Sequence, residues 1–160
     1  MDGKSRVAVP AKLIPALRAL VGAGEEDKIE VVITVTAQQR LGVYPRHIFM
    51  NKIKALEQAP PSDREAEELR ITLYNNMDEQ CLDKQNRFRI PAAYAHAFKL
   101  SGEVIVTGSG SFLEVVNKDQ WQEQLISRMA DLPEKEKAAG KYLDASRGAG
   151  AQQEQQEEQP

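Results

Sequence analysis

The chain has 160 residues, 41% of them hydrophobic and only 6% aromatic, enough for one ordinary domain or two small ones with an aliphatic core, and this excludes disorder throughout. Lysine and arginine number 21 against 24 acids, a formal charge of −3 that argues against a general polyanion binder at the level of the whole chain. The single cysteine, Cys81, excludes an internal disulfide, one cysteine with two histidines is too few for a structural zinc site, and no apolar run approaches the ~18 residues of a membrane span. A cytosolic protein without metal or cofactor is expected.

In chain order, a turn around Lys4 and Ser5 delivers the chain into a short strand at Val7 and Val9. Pro10 opens a helix with Leu13, Leu17 and Leu20 on one face and Ile14 and Val21 beside it, ended by a Gly-bearing break. Strands follow over 29–36 and 41–44, joined by a turn through Ala37 to Arg40, then a helix from Arg46 to about Leu56 carrying Phe49 and Ile53. Pro60 and Pro61 stop that helix, and Ser62 with Glu65 has the capping-box spacing that opens another over 63–75. A second turn, at Gln85 and Asn86, precedes a strand at Phe88 and Ile90 and a helix after Pro91 carrying Tyr94, Ala97 and Phe98. Strands over 103–107 and 112–116 flank a Gly108–Ser111 turn, and a helix over 118–132 carries Trp121, Leu125 and Met129, with Asn117 and Gln120 at capping spacing. The Gln/Glu-rich segment 133–160 lacks the apolar content to offset the entropy of ordering it and is expected to be disordered.

This order of elements occurs twice. At an offset of 81, Asp2 matches Asp83, Arg6 matches Arg87, Pro10 matches Pro91, Ala11 matches Ala92 and Ala16 matches Ala97. At an offset of 72, Ile33 matches Ile105, Leu41 matches Leu113, Val43 matches Val115 and Phe49 matches Trp121. Two AspXXXArg segments in tandem, each leading through a short apolar strand to proline and a helix, resemble the MraZ family of bacterial transcriptional regulators, built from two AbrB-type repeats. The LeuGlyValTyrPro stretch at 41–45 and the PheLeuGluVal stretch at 112–115 belong to the same resemblance, which covers roughly residues 1 to 132.

The resemblance implies an α+β fold of two tandem swapped-hairpin repeats forming a pseudo-twofold β-barrel with flanking helices. It implies a ring-shaped homo-oligomer that binds direct repeats in the promoter of the division and cell-wall gene cluster. The first repeat is placed at 1–57, an acidic linker helix at 58–72 and the second repeat at 73–132. Two departures stand out. The family usually has glycine before the arginine, where this chain has Ser5 and Asn86, and serine accepts a left-handed backbone less readily than asparagine, so the first turn is expected to differ in shape. The family also has a strand ahead of the first aspartate. The second repeat keeps it as Leu73 to Leu82, whereas Met1 immediately precedes Asp2, so the first lead-in strand is missing, a barrel edge is expected to lie open, and a start placed too late is the favoured reading.

The charge map locates candidate site residues. Residues 1–24 hold Lys4, Arg6, Lys12 and Arg18 against Asp2, four bases against one acid for a net of +3. Residues 83–99 hold Lys84, Arg87, Arg89 and Lys99 against Asp83, again +3, while 57–83 hold eight acids and two bases, a net of −6. Matching parts of both repeats are therefore basic in an acidic chain. Arginine can grip a phosphate or read guanine bidentately, and lysine acts as a point charge on the backbone. Taken alone, the basic segments read as solvated faces near turns; with the resemblance, Arg6, Lys4, Arg87, Lys84 and Arg89 become DNA-binding candidates. Asp2 and Asp83 repel phosphate, and a role bracing the turn and orienting the arginine fits them better than general base.

Other patterns carry less. Gly108–Ser111 lacks the lysine and length of a phosphate loop. His47 and His96 follow no nucleophile pattern, Cys81 reads as a small buried or half-buried strand residue, and Trp121 reads as core or interface. The expected function is a sequence-specific, double-stranded-DNA-binding transcriptional regulator, not an enzyme, with no small-molecule substrate, no membrane partner and a cytoplasmic, nucleoid-associated location. The alternative is an AbrB-like protein-interaction module, an antitoxin or assembly factor acting through its linker or tail.

Overall fold

The computed structural model describes residues 1–22, 24 and 27–140. Its elements are β1 (Arg6–Ala8), a 3-10 turn at Ala11–Leu13, α1 (Ile14–Val21), β2 (Glu30–Val35), β3 (Leu41–Pro45), α2 (Arg46–Glu57), α3 (Arg64–Asn75), β4 (Asp78–Cys81), β5 (Arg87–Arg89), α4 (Ala92–Ala97), β6 (Val104–Gly108), β7 (Leu113–Asn117) and α5 (Lys118–Ala130). The fold is α+β with antiparallel sheets. One compact unit, Met1–Gln120, holds β1 to β7 and α1 to α4, and the described residues from Trp121 on belong to a separate one.

Strand exchange explains why two repeats make one body. β4, which leads into the second repeat, pairs with β2 of the first, with Val31 opposite Gln80 and Ile33 opposite Asp78. β3 then pairs with β7 across the repeats, giving an open five-stranded sheet in the order β4-β2-β3-β7-β6. β1 and β5 form a separate two-stranded ribbon. A pseudo-twofold relation runs through both contacts between repeats: the ribbon is centred on Val7 opposite Phe88, and the β3–β7 pair on Gly42 opposite Glu114.

The structural register corrects one sequence match. β3 and β7 align at an offset of 72, but Val31 stands opposite Pro45 and Val104 opposite Asn117, so β2 and β6 align at 73. Ile33 therefore corresponds to Val106, not to Ile105. The cause is the hairpin turn, which spans 36–40 in the first repeat and 109–112 in the second, one residue fewer. Ser109 N–H donates to Phe112 O at 2.8 Å, which makes Gly108–Ser111 part of a hairpin turn.

Alternation along β2 feeds two cores. Val31 and Ile33 join Val7, Leu17, Phe88, Ile90, Val106 and Val115 in the larger cluster, while Val32 joins Tyr44, Phe49, Ile53 and Leu73 in the smaller. Phe49 and Ile53, four residues apart on α2, are buried against α3 through Leu73. Each such side chain contributes about 1.5–3 kcal/mol by leaving water.

Local corrections follow the same physics. Leu20 is exposed: Leu13 falls in the 3-10 turn ahead of α1, so the core stripe of the α-helix itself is Ile14, Leu17 and Val21. Asp63, not Ser62, caps α3, its carboxylate accepting Ala66 N–H at 3.0 Å. Leu73 to Asn75 form the last turn of that helix, not the beginning of a lead-in strand, which is confined to β4. Asn117 does cap α5, accepting from Asp119 N–H at 2.9 Å. Cys81 is exposed rather than buried, because β4 is an edge strand and Leu82 takes the inward position. Residues 133–140, expected to be disordered, are helical, and the remainder of the expected tail, 141–160, lies outside the described residues.

Candidate nucleic-acid interface

The two AspXXXArg segments fold into the same turn. Asp2 N–H donates to Arg6 O at 2.9 Å and Ser5 N–H to Asp2 O at 3.0 Å; Asp83 N–H donates to Arg87 O at 2.9 Å and Asn86 N–H to Asp83 O at 2.8 Å. Ser5 has φ 58° and Asn86 φ 53°, so the serine adopts the same left-handed conformation as the asparagine and the expected difference in turn shape is absent. The carbonyls of these two residues are exchanged between the repeats: Ile90 N–H donates to Ser5 O at 2.8 Å and Val9 N–H to Asn86 O at 2.9 Å. Each turn is thus locked to the start of the other repeat's helix segment.

Inside each turn the aspartate organises the arginine. Oδ1 of Asp2 accepts the Lys4 and Arg6 amides, both at 2.9 Å, and Oδ2 accepts Nε and Nη2 of Arg6, both at 2.8 Å. Oδ1 of Asp83 accepts the Gln85 and Arg87 amides at 2.9 and 3.0 Å, and Oδ2 accepts Nε and Nη2 of Arg87 at 2.8 Å. Asp2 also lies 3.9 Å from Nη1 of Arg87, so the two turns meet. The Arg6 amide, with the Lys4 amide and the Arg6 guanidinium, outweighs the upward push of burial and holds the Asp2 carboxyl at about 2, below its ordinary 3.8. At Asp83 burial is the largest single influence and raises the value, but the hydrogen bonds from the Arg87 guanidinium and the Arg87 and Gln85 amides together bring it below the usual range.

The β1–β5 ribbon carries these arginines outward. Val7 and Phe88 point into the core, and alternation turns Arg6, Ala8, Arg87 and Arg89 to the other face. Lys4 and Lys84 are exposed in the turns at the two ends. Five bases against Asp2 and Asp83 give this patch a net of +3. Arg18 is directed elsewhere, donating to the carbonyls of Gly24 and Asp27. A two-stranded antiparallel ribbon is one of the shapes the major groove of B-DNA admits, and a basic outer face supplies phosphate neutralisation and guanine readout.

The structure thus brings Lys4, Arg6, Lys84, Arg87 and Arg89 onto one ribbon with its turns. His47 on α2 and His96 on α4 are exposed and lie apart from it. Trp121, on α5, has the Arg128 guanidinium 5.7 Å from its ring centroid. Among the described residues no group of three potential metal ligands occurs, and no helix is long and apolar enough to cross a membrane. Sequence reading missed Gln80, whose side-chain amide bonds both backbone groups of Arg89; nine residues of separation and no motif gave no signal for it.

Comparison with known proteins bears on this geometry. Residues 73–144 match the family model described as "MraZ protein, putative antitoxin-like". The chain is 30% identical over 131 residues to a protein of Corynebacterium urealyticum named "Transcriptional regulator MraZ", covering 82% of this chain and 85% of that one. Proteins of the same name from Mycolicibacterium smegmatis and Herpetosiphon aurantiacus are 32% and 28% identical, covering 77% and 83% of this chain and 79% and 86% of theirs.

Proposed function

As the chain belongs to the MraZ family, we propose that it is a DNA-binding transcriptional regulator, not an enzyme, whose contact surface is the outer face of the β1–β5 ribbon. The observation that carries this reading is the pair of aspartate-gripped arginines, Arg6 and Arg87, held on adjoining strands in a basic patch of an acidic chain. A guanidinium fixed by a carboxylate and by its own strand loses little freedom on meeting DNA, which lowers the entropic cost of binding. Lys4 and Lys84 add phosphate contacts from the turns, and Asp2 and Asp83 serve as braces.

The finer reading has the two repeats, with the acidic helix between them, completing a swapped-hairpin barrel. Several protomers form a ring in the bacterial cytoplasm at the nucleoid and engage direct repeats in the promoter of the division and cell-wall genes. A protomer offering so few cations binds one repeat weakly, and a ring meets successive repeats at high effective concentration.

Gel-shift titrations of the full chain on duplexes with increasing numbers of that promoter repeat test the proposal. Affinity is expected to rise with repeat number, and Arg6→Ala to weaken binding about 10-fold and lower the salt slope by about one. Unchanged binding by both Arg6→Ala and Arg87→Ala would sink the site. Absence of DNA binding by the wild-type chain would favour the second reading, a protein-interaction module, which the "antitoxin-like" family description supports.

A further inference from the structure

Among the outward-facing positions of its two strands, the ribbon departs from its own symmetry at one pair. The offset of 81 relates Arg6 to Arg87 and Ala8 to Arg89, and the register sets Arg6 opposite Arg89 and Ala8 opposite Arg87. One half of the outer face therefore carries arginine and alanine, and the other half carries arginine twice. Arg89 also differs from the two gripped arginines. It is exposed, and no carboxylate of a described residue pairs with its guanidinium.

What is fixed at Arg89 is the backbone. Nε2 of Gln80, on β4, donates to Arg89 O at 2.7 Å, and Oε1 of Gln80 accepts Arg89 N–H at 2.9 Å. The same amide hydrogen-bonds Asp78, which orients it. A side-chain amide that satisfies both groups of one residue stands in for a neighbouring strand. It fixes the direction in which the Arg89 side chain leaves β5 while its fork of donors stays free.

We propose that Arg89, with Gln80 as its positioning residue, reads a guanine in the major groove, so that the two halves of the ribbon recognise different bases. The proposal rests on the ribbon being the DNA-binding surface. An arginine fork donates to guanine O6 and N7 together, whereas a methyl group in the equivalent place matches at most the methyl of thymine. A symmetric ribbon would read a palindrome. This one reads a unit with a direction, which is what separates a direct repeat from an inverted one.

Selection of the purified full chain against a pool of randomised duplexes at fixed salt tests this. The expected wild-type motif is asymmetric, with a guanine preferred about 10-fold at one position, the discrimination of one bidentate pair. Arg89→Ala is expected to flatten that position alone. Ala8→Arg, a surface change that does not depend on Gln80, is expected to add a guanine preference at the mirrored position. Gln80→Ala is expected to reduce the guanine preference when Arg89 is present and to change nothing further in the Arg89→Ala background.

A palindromic wild-type motif, or an Arg89→Ala chain that weakens all sequences equally as loss of a phosphate contact would, overturns the proposal. A Gln80→Ala effect of the same size in both backgrounds removes the positioning role. If Arg6→Ala and Arg87→Ala leave binding intact, the ribbon itself is the wrong surface, a result distinguishable from loss of base preference alone.

Discussion

Nη1 of Arg40 donates to Oε2 of Glu114 at 2.8 Å, joining the β2–β3 turn of the first repeat to β7 of the second in a largely buried pair. Glu114 stands opposite Gly42 at the centre of the β3–β7 pair, so this ion pair crosses the pseudo-twofold contact from one side only. Removing Arg40 takes from the buried Glu114 carboxylate the cation that compensates it. Arg40→Ala is expected to lower stability by about 3 kcal/mol, measured by urea denaturation. An unchanged midpoint would show that the pair adds nothing to the joining of the repeats.

Gly42 has its own steric reason. A Cβ there would lie 2.7 Å from Cε2 of Tyr44 and 2.8 Å from Cγ2 of Thr36. Tyr44 cannot easily give way, because its ring stacks on Phe112 with centroids 4.3 Å apart. Gly42→Ala should therefore destabilise the chain by about 1–3 kcal/mol, as overpacking does, and a thermal melt equal to wild type would contradict the crowding.

The left-handed Ser5 predicts a gain. Glycine adopts φ 58° without the clash that serine carries, although it also has more freedom to lose on folding. Ser5→Gly is expected to stabilise by about 0.5–1 kcal/mol in chemical denaturation, with a smaller effect for Asn86→Gly because asparagine already tolerates the region. Destabilisation by Ser5→Gly would mean that the serine side chain contributes something beyond backbone shape.

Asp2 predicts a result opposite to simple charge counting. Losing a negative charge beside a phosphate surface should strengthen DNA binding by Coulomb attraction alone. Because the carboxylate holds Arg6 by Nε and Nη2 and also accepts two amides, Asp2→Ala is instead expected to weaken binding about fivefold. Tighter binding by the variant in a gel shift would remove the bracing role.

The pH dependence has a defined sign. The folded Asp2 value, about 2, lies below the ordinary 3.8. Its contribution to turn stability is therefore complete above the ordinary value and is lost as the pH falls through about 2. Asp83 is shifted in the same direction. Followed by NMR through its carboxyl chemical shift, Asp2 should remain mostly ionised at about pH 3, where an ordinary aspartate is mostly protonated, and titration of Asp2 near or above its ordinary value would contradict the hydrogen-bond network.

Much of the fold was legible because the repeat is written in residue types. The matching aspartates, arginines and prolines mark the start of each unit, and period-2 and helical patterns place β2, β3, α2, β6 and β7 to within about a residue. Misreadings arose where a neighbour decided the outcome. Leu20 lost its place to Val21 with the late start of α1, Leu73 was claimed by α3 through its packing on Phe49 and Ile53, and the Ile33 match slipped by one because turn length is invisible to composition.

The sequence by itself determined the tandem arrangement, the basic character of the two turns and the pairing of each arginine with an aspartate four residues earlier, since these are local and fit within one turn of chain. Tertiary structure alone decided that β4 crosses to β2, that Arg6 faces Arg89 across a ribbon, and that Gln80 grips the backbone of Arg89. Those relations depend on which strand edges meet once the apolar faces are buried, and register between distant segments is set by the packing of the whole sheet rather than by any residue's own preference.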